Sequence, residues 1–190
     1  MKHSTIGIDS SERPANHDSR DFVSSFIEQR WYAVHTSANH EKRVADLLGA
    51  MEVDHFLPTY FSVRNWRDRR VTLQLPLFPG YLFVHLALRD RLRVLQIPGV
   101  AHLVGFNGQP TPVSDVEMEI MRSGLSQRVR ALPHPFLTVG RQVRITGGPF
   151  AGLEGVLKRK KTNLRVVVSL NLIQRSITVD VDAANIRSIT

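Results

Sequence analysis

The side chains able to do covalent, acid–base or metal chemistry in this 190-residue sequence are eight histidines and seventeen carboxylates, with no cysteine. Without a thiol there is no disulfide scaffold, zinc finger, thiol nucleophile or iron–sulfur cluster. The run Gly147-Gly148-Pro149-Phe150-Ala151-Gly152 has the glycine density of a phosphate-cradling loop. No Lys-Ser/Thr follows it, as a Walker loop would require. There is no Gly-x-Ser-x-Gly elbow. His40-Glu41 lacks the second histidine of a zincin, and His35, His40, His55, His85 and His102 have no tight ligand spacing. They read as ordinary surface or half-buried histidines, and nothing marks a catalytic carboxylate pair. The expectation is a binding protein without catalytic residues, metal or cofactor.

Binding chemistry is better represented. Twenty-five Lys and Arg against seventeen Asp and Glu give a net charge of +8, which favours a polyanionic partner. Three groups could meet nucleic acid. Arg64, Trp66, Arg67, Arg69 and Arg70 combine cations with a ring able to stack on a base. Arg89, Arg91 and Arg93 open a helix, although i, i+2 and i+4 do not share one face. Lys158-Arg159-Lys160-Lys161 repel one another and belong on an exposed loop, where phosphate contacts would be salt-dependent. In each case a merely solvated charged surface is the competing reading.

The elements that must carry these groups follow from periodicity. Trp31 to Thr36 reads as a strand. Ser37 can cap a helix with Glu41 in its first turn and Val44, Leu47, Leu48 and Met51 as its apolar stripe. His55 to Val63 and Val71 to Leu75 flank the basic hairpin tip. Tyr81 to Leu86 is another strand; period-2 geometry sends Leu82, Val84 and Leu86 to one face and Tyr81, Phe83 and His85 to the other. A helix from about Arg89 to Gln96 stops at Pro98-Gly99, and Ala101 to Phe106 looks extended. Ser114-x-x-Glu117 is a capping box for a helix with Val116, Ile120 and Met121 buried, which Gly124 can end. With helices over one face of the sheet, the aromatic face is left partly exposed, as at protein interfaces. Alternatively, Tyr81 and Phe83 are core residues under the second helix; the pattern leaves both open.

Residues 1–28 carry a net −2 and read as a flexible tail. Residues 29–124 form an α+β domain. Residues 125–136 read as a linker with Pro133 and Pro135. Residues 137–190, with nine basic residues against three acidic, show short glycine-punctuated strands and no helix signal, hence a small barrel. No stretch of about 18 apolar residues suggests a membrane span, the first residues lack a secretory apolar core, and the default compartment is the cytoplasm.

Arg30-Trp31-Tyr32, Pro76-Leu77-Phe78-Pro79-Gly80-Tyr81-Leu82-Phe83-Val84, Pro98-Gly99-Val100 and Phe106 resemble the NGN domain of the NusG family. Gly140-Arg141-Gln142-Val143-Arg144-Ile145, Gly147 to Gly152 and Gly155-Val156 resemble its KOW motif. The two blocks stand in the family's order and cover roughly residues 30 to 190. The resemblance implies a four-stranded antiparallel NGN sheet with flanking helices and a five-stranded SH3-like KOW barrel. It also implies a transcription elongation or antitermination factor, acting as a monomer near the DNA of the transcription bubble. Phe78, Tyr81, Phe83 and Leu103 would dock on the clamp helices of RNA polymerase. Phe150 would contact a ribosomal protein or Rho, or else plug the barrel end. The segment Leu77 to Phe83 is closer to RfaH-like and UpxY-like specialised antiterminators. Ser169 to Ser176 lacks the family's Phe-Gly-Arg-x-Thr-Pro, which argues against Rho. Val166-Val167-Val168 favours a permanent barrel over the helical refolding of RfaH. A ribosome-associated or free RNA-binding KOW protein is the alternative function.

Overall fold

The computed structural model describes residues 26–66, 69–127, 130–135, 140–160 and 163–189. The expected tail lies almost wholly outside the described residues.

The first sheet is built around β1 (Arg30–Thr36), whose aromatic and β-branched residues suit a strand buried on both faces. After it come α1 (Glu41–Ala50), β2 (His55–Phe56) and a ribbon of β3 (Thr59–Trp66) with β4 (Arg69–Pro76). Next are β5 (Tyr81–Leu86), a 3-10 turn at Leu88–Asp90, α2 (Arg91–Leu95) and β6 (Val100–Leu103). A small pair, β7 (Gly105–Phe106) and β8 (Gln109–Pro110), precedes β9 (Pro112–Val113) and α3 (Asp115–Ser126). The sheet runs β2-β5-β1-β6, the expected four antiparallel strands, with β9 added against β1.

Two apolar layers sandwich this sheet. Tyr32 and Val34 of β1, with Leu82, Val84 and Leu86 of β5, face Val44 and Leu48 of α1 and Val94 of α2. Trp31, Ala33 and Phe83 face the other way, towards Met118 and Met121 of α3. The alternation read from β5 therefore holds.

Several local expectations need correction. Ser37 is not the N-cap of α1. Asn39, in the left-handed region at φ 62°, interposes a turn in which the His40 N–H donates to the Ser37 carbonyl, and the helix starts at Glu41. The Glu41 carboxylate instead accepts the Gly80 N–H at 2.7 Å. That contact fixes the Pro79-Gly80 turn, where Gly80 holds φ +84°. The helix expected over Arg89–Gln96 is shorter and begins as the 3-10 turn. The strand expected over 101–106 divides between β6 and β7. Ser114 does cap α3, accepting the Glu117 N–H. Val116, however, is exposed, because residues two apart on a helix point about 200° apart and the buried line runs through Met118, Met121 and Gly124. Nor does Gly124 end the helix.

The second unit is one antiparallel sheet in the order β10-β14-β13-β12-β11-β15. Its strands are β10 (Ala131–His134), β11 (Gln142–Ile145), β12 (Glu154–Lys160), β13 (Asn163–Leu170), β14 (Arg175–Val181) and β15 (Ile186–Ser188). Strand β10 comes from the stretch expected to be linker; it has edge-strand chemistry, with Ala131 buried and proline at 133. It makes the sheet six-stranded rather than five-stranded. Among the described residues of 140–189 there is no α-helix. Over the whole chain, no helix among the described residues is long and apolar enough to cross a membrane.

Candidate docking and nucleic-acid surfaces

The β1–β5 register pairs Trp31 with His85, Ala33 with Phe83, and His35 with Tyr81, so one face of the sheet collects the rings. Trp31 stacks on His85 with centroids 5.0 Å apart, and the Arg122 guanidinium of α3 lies 5.0 Å over Trp31. His35 lies 5.0 Å from Tyr81 and 5.1 Å from His102. Phe78, in the turn before β5, meets Phe83 edge-on at 5.9 Å.

This aromatic face exists, but it is not open. Phe78 is 1% exposed and Phe83 0%; Tyr81 alone of the three is half-buried. One cause is α3, which packs on this face rather than on the opposite one and sets Met118 and Met121 in the same cluster as Phe83. The other is the second unit: Val143, Ile145, Phe150, Leu153, Leu170 and Ile173 continue that cluster without a break. Leu103 is expected beside the rings. It lies instead on the face covered by α1, because its partner on β1 is Val34, and it is 8% exposed there.

The contacts between the units are specific. Phe150, 2% exposed, rests on Gly124: a Cβ placed there would come within 2.5 Å of the Phe150 ring and 2.9 Å of the Pro149 carbonyl. Glycine thus makes a notch in α3 that the Gly-Pro-Phe turn fills. This is why it is tolerated in a helix interior, where it costs about 1 kcal/mol against alanine. Phe83, Val113 and Glu117 share a cleft with Leu170 and Ile173. At the rim, the Arg175 guanidinium of β14 lies 5.4 Å over the Tyr81 ring.

Charge is less well accommodated than apolar surface. The His35 imidazole is held below the ordinary histidine range, first by loss of solvent and then by His102 and Arg175. Its Nδ1 is buried without a hydrogen-bond partner. At another point of the interface the Glu117 carboxyl is pushed up, first by burial and then by Glu154 of β12.

The basic groups fare unequally. Arg64, Arg69 and Arg70 are exposed on the β3–β4 ribbon, and no carboxylate among the described residues pairs with them. Phe61, 73% exposed, and Val63 lie on the same ribbon, an exposure that the sequence pattern did not signal. Arg67 lies outside the described residues, and of Trp66 only its place in β3 is given. The helix arginines do not act together. Arg91 donates to the Leu88 carbonyl at 3.0 Å, Arg93 to the Met51 carbonyl at 2.8 Å, and Arg89 pairs with Asp90 at 3.5 Å. Lys158, Arg159 and Lys160 belong to β12 rather than to a loop, with Lys158 exposed and 2.9 Å from His134 Nε2; Lys161 lies outside the described residues. Arg175 does not stand out in the sequence, and Gly124, Glu117 and His35 stand out there only in other roles, because what matters here is their place across the contact between units. A glycine inside an otherwise continuous helical pattern is the one available signal.

Comparison with known proteins gives consistent matches. The family model described as NusG, transcription termination factor nusG, matches residues 29–122. The transcription termination/antitermination protein NusG of Escherichia coli K12 is 31% identical over 170 residues, spanning 78% of this chain and 91% of that protein. Its namesake from Vibrio vulnificus is 29% identical over 165 residues, spanning 78% and 90%. Among solved structures, one described as the domain interaction in Thermotoga maritima NusG aligns with 27% identity and a TM-score of 0.55. It covers 86% of this chain and 99% of that one.

Proposed function

Because this chain belongs to the NusG family of transcription termination/antitermination proteins, we propose that it acts by seating the ring-bearing face of its first sheet on RNA polymerase. The family comprises transcription factors rather than enzymes. Tyr81, Phe78 and Phe83 would supply the contact, with the clamp helices of the polymerase as the surface met. Leu103, on the opposite face, drops out of that set. The observation that carries the reading is a large aromatic cluster covered partly by α3 and partly by the chain's own second unit, which is attached through a short connection.

In this reading the structure is the closed form. Docking requires the second sheet to leave, exposing Tyr81 first because it is already half-buried at the rim. Separation would also free Phe150 from Gly124, making it available to a second partner, a ribosomal protein or Rho. Once seated, the aromatic face would resist opening of the polymerase clamp, since each well-buried apolar side chain contributes about 1.5–3 kcal/mol. Arg64, Arg69 and Arg70 on the ribbon would follow nearby DNA through phosphate contacts. The departures at Leu77 to Phe83 and Ser169 to Ser176 favour a specialised paralogue.

The test is co-purification with core polymerase. Tyr81→Ala should abolish binding while the circular dichroism spectrum stays that of the parent. Retained polymerase binding would refute the docking face. Salt-dependent RNA binding without polymerase binding, unchanged by Tyr81→Ala, would identify a free RNA-binding protein instead.

A further inference from the structure

The surface between the two units is an apolar seam with two separate points at which groups meet that carry like charge in one of their protonation states. At one, Arg175 of β14 lies over Tyr81, and the His35 ring, itself beside His102 of β6, is tilted against the same Tyr81 ring with centroids 5.0 Å apart. At the other, Glu117 of α3 and Glu154 of β12 line a common cleft. Like charges brought together in partly desolvated surroundings oppose the contact that brings them together. An interface meant only to be permanent gains nothing from either couple.

We propose that closure is a proton-controlled switch: a proton on His35, which shares the Tyr81 ring with Arg175, opens the two units, whereas a proton on Glu117 near Glu154 shuts them. Among the described residues, few groups face His35. Tyr81 comes from β5, His102 from β6 and Arg175 from β14. Glu41 of α1, reached through the neighbouring Gly80, is engaged by the Gly80 N–H at 2.7 Å. No carboxylate among the described residues forms an ion pair with His35. Glu117 faces Glu154, whose charge is partly balanced by Arg144 of β11, with the Arg144 Nε at 2.9 Å.

The signs follow from linkage. The closed form holds His35 below its ordinary value of 6.5, so closure favours the neutral ring. Stability of the closed form is full above that value and is lost as pH falls through it. Glu117 is held above its ordinary 4.5, so closure favours its protonated form and regains stability as pH falls further. The closed form is therefore weakest in a mildly acidic window. Of the causes, Arg175 and the solvent that the second unit excludes belong to closure, whereas His102 is present whether the units are together or apart.

The absence of cysteine allows a two-label experiment on the full chain. Lys42→Cys and Ala184→Cys, both at exposed positions, carry a donor and an acceptor dye. With Glu117→Gln also introduced to remove the acidic limb, transfer efficiency should fall between about pH 8 and about pH 5.5, the open-to-closed ratio rising about threefold or more. Arg175→Gln, a surface change on β14, should weaken that response, and His35→Gln should remove it. Glu117→Gln itself should raise transfer efficiency at pH 8 over the parent. A flat pH profile, or an Arg175→Gln response equal to the parent's, overturns the histidine limb. An unchanged efficiency at pH 8 on Glu117→Gln overturns the carboxylate limb. The readout is separation of the units, so failure here leaves the polymerase-docking reading standing.

Discussion

Gly124→Ala separates the contact between the units from the stability of either one. In the closed form the added methyl would meet the Phe150 ring at 2.5 and 2.7 Å and the Pro149 carbonyl oxygen at 2.9 Å. The ring could rotate away, but the carbonyl is backbone, so the turn as a whole must withdraw. Overpacking of this kind costs about 1–3 kcal/mol, which shifts the closed-to-open ratio roughly 5-fold to 150-fold towards open at about 1.4 kcal/mol per tenfold. Within α3 the same change is favourable, by about 1 kcal/mol, because alanine gives up less backbone entropy than glycine on entering a helix. Closure should therefore weaken while the first unit holds or gains stability. The two-dye pair measures the first effect, and thermal unfolding measures the second. Unchanged transfer efficiency would refute the notch as an anchor. A drop in efficiency accompanied by loss of helical dichroism would refute the claim that α3 tolerates alanine.

Changing Arg64, Arg69 and Arg70 together to Gln should weaken duplex DNA binding and flatten its log–log salt dependence by about 0.9 for each phosphate no longer neutralised; an unchanged slope would leave the ribbon merely solvated. Ser114→Ala removes the side-chain cap on the Glu117 N–H and should cost about 1 kcal/mol, read as a melting temperature lowered by a few degrees, whereas an unmoved melting curve would show that the cap contributes nothing. Glu154→Gln should shorten the pH range over which Glu117 disfavours closure, seen as higher transfer efficiency at neutral pH; no change would mean the carboxylates are screened from each other.

Much of the fold is legible in the sequence because it depends on local pattern. Alternation along Tyr81 to Leu86 decides which side chains share a face, and the Ser114 box locates the start of α3. What escapes is local detail set by tertiary contact. Ser37 satisfies every requirement of a cap, yet Asn39 turns the chain before the helix can start. Pro133 and Pro135 read as linker because proline breaks ladders, yet proline is acceptable at a sheet edge, where β10 lies. The face that Leu103 occupies depends on its register against Val34, which no local pattern reveals. The aromatic face itself is readable, but its cover is not, since a period-2 pattern says which side a ring points to and nothing about what will be laid over it. The Gly124 notch and the two like-charge couples join residues far apart in the chain, beyond the reach of any window-based reading.

The central claim is that the proposed polymerase-docking face, part of which α3 covers, is otherwise hidden beneath the chain's own second unit. It is tested most directly by measuring the affinity for core RNA polymerase of the parent, Gly124→Ala, and Gly124→Ala combined with Tyr81→Ala. Gly124→Ala should bind more tightly than the parent, and binding should disappear when Tyr81 is also removed. Equal affinity of the parent and Gly124→Ala, or full binding by the double variant, would contradict the claim.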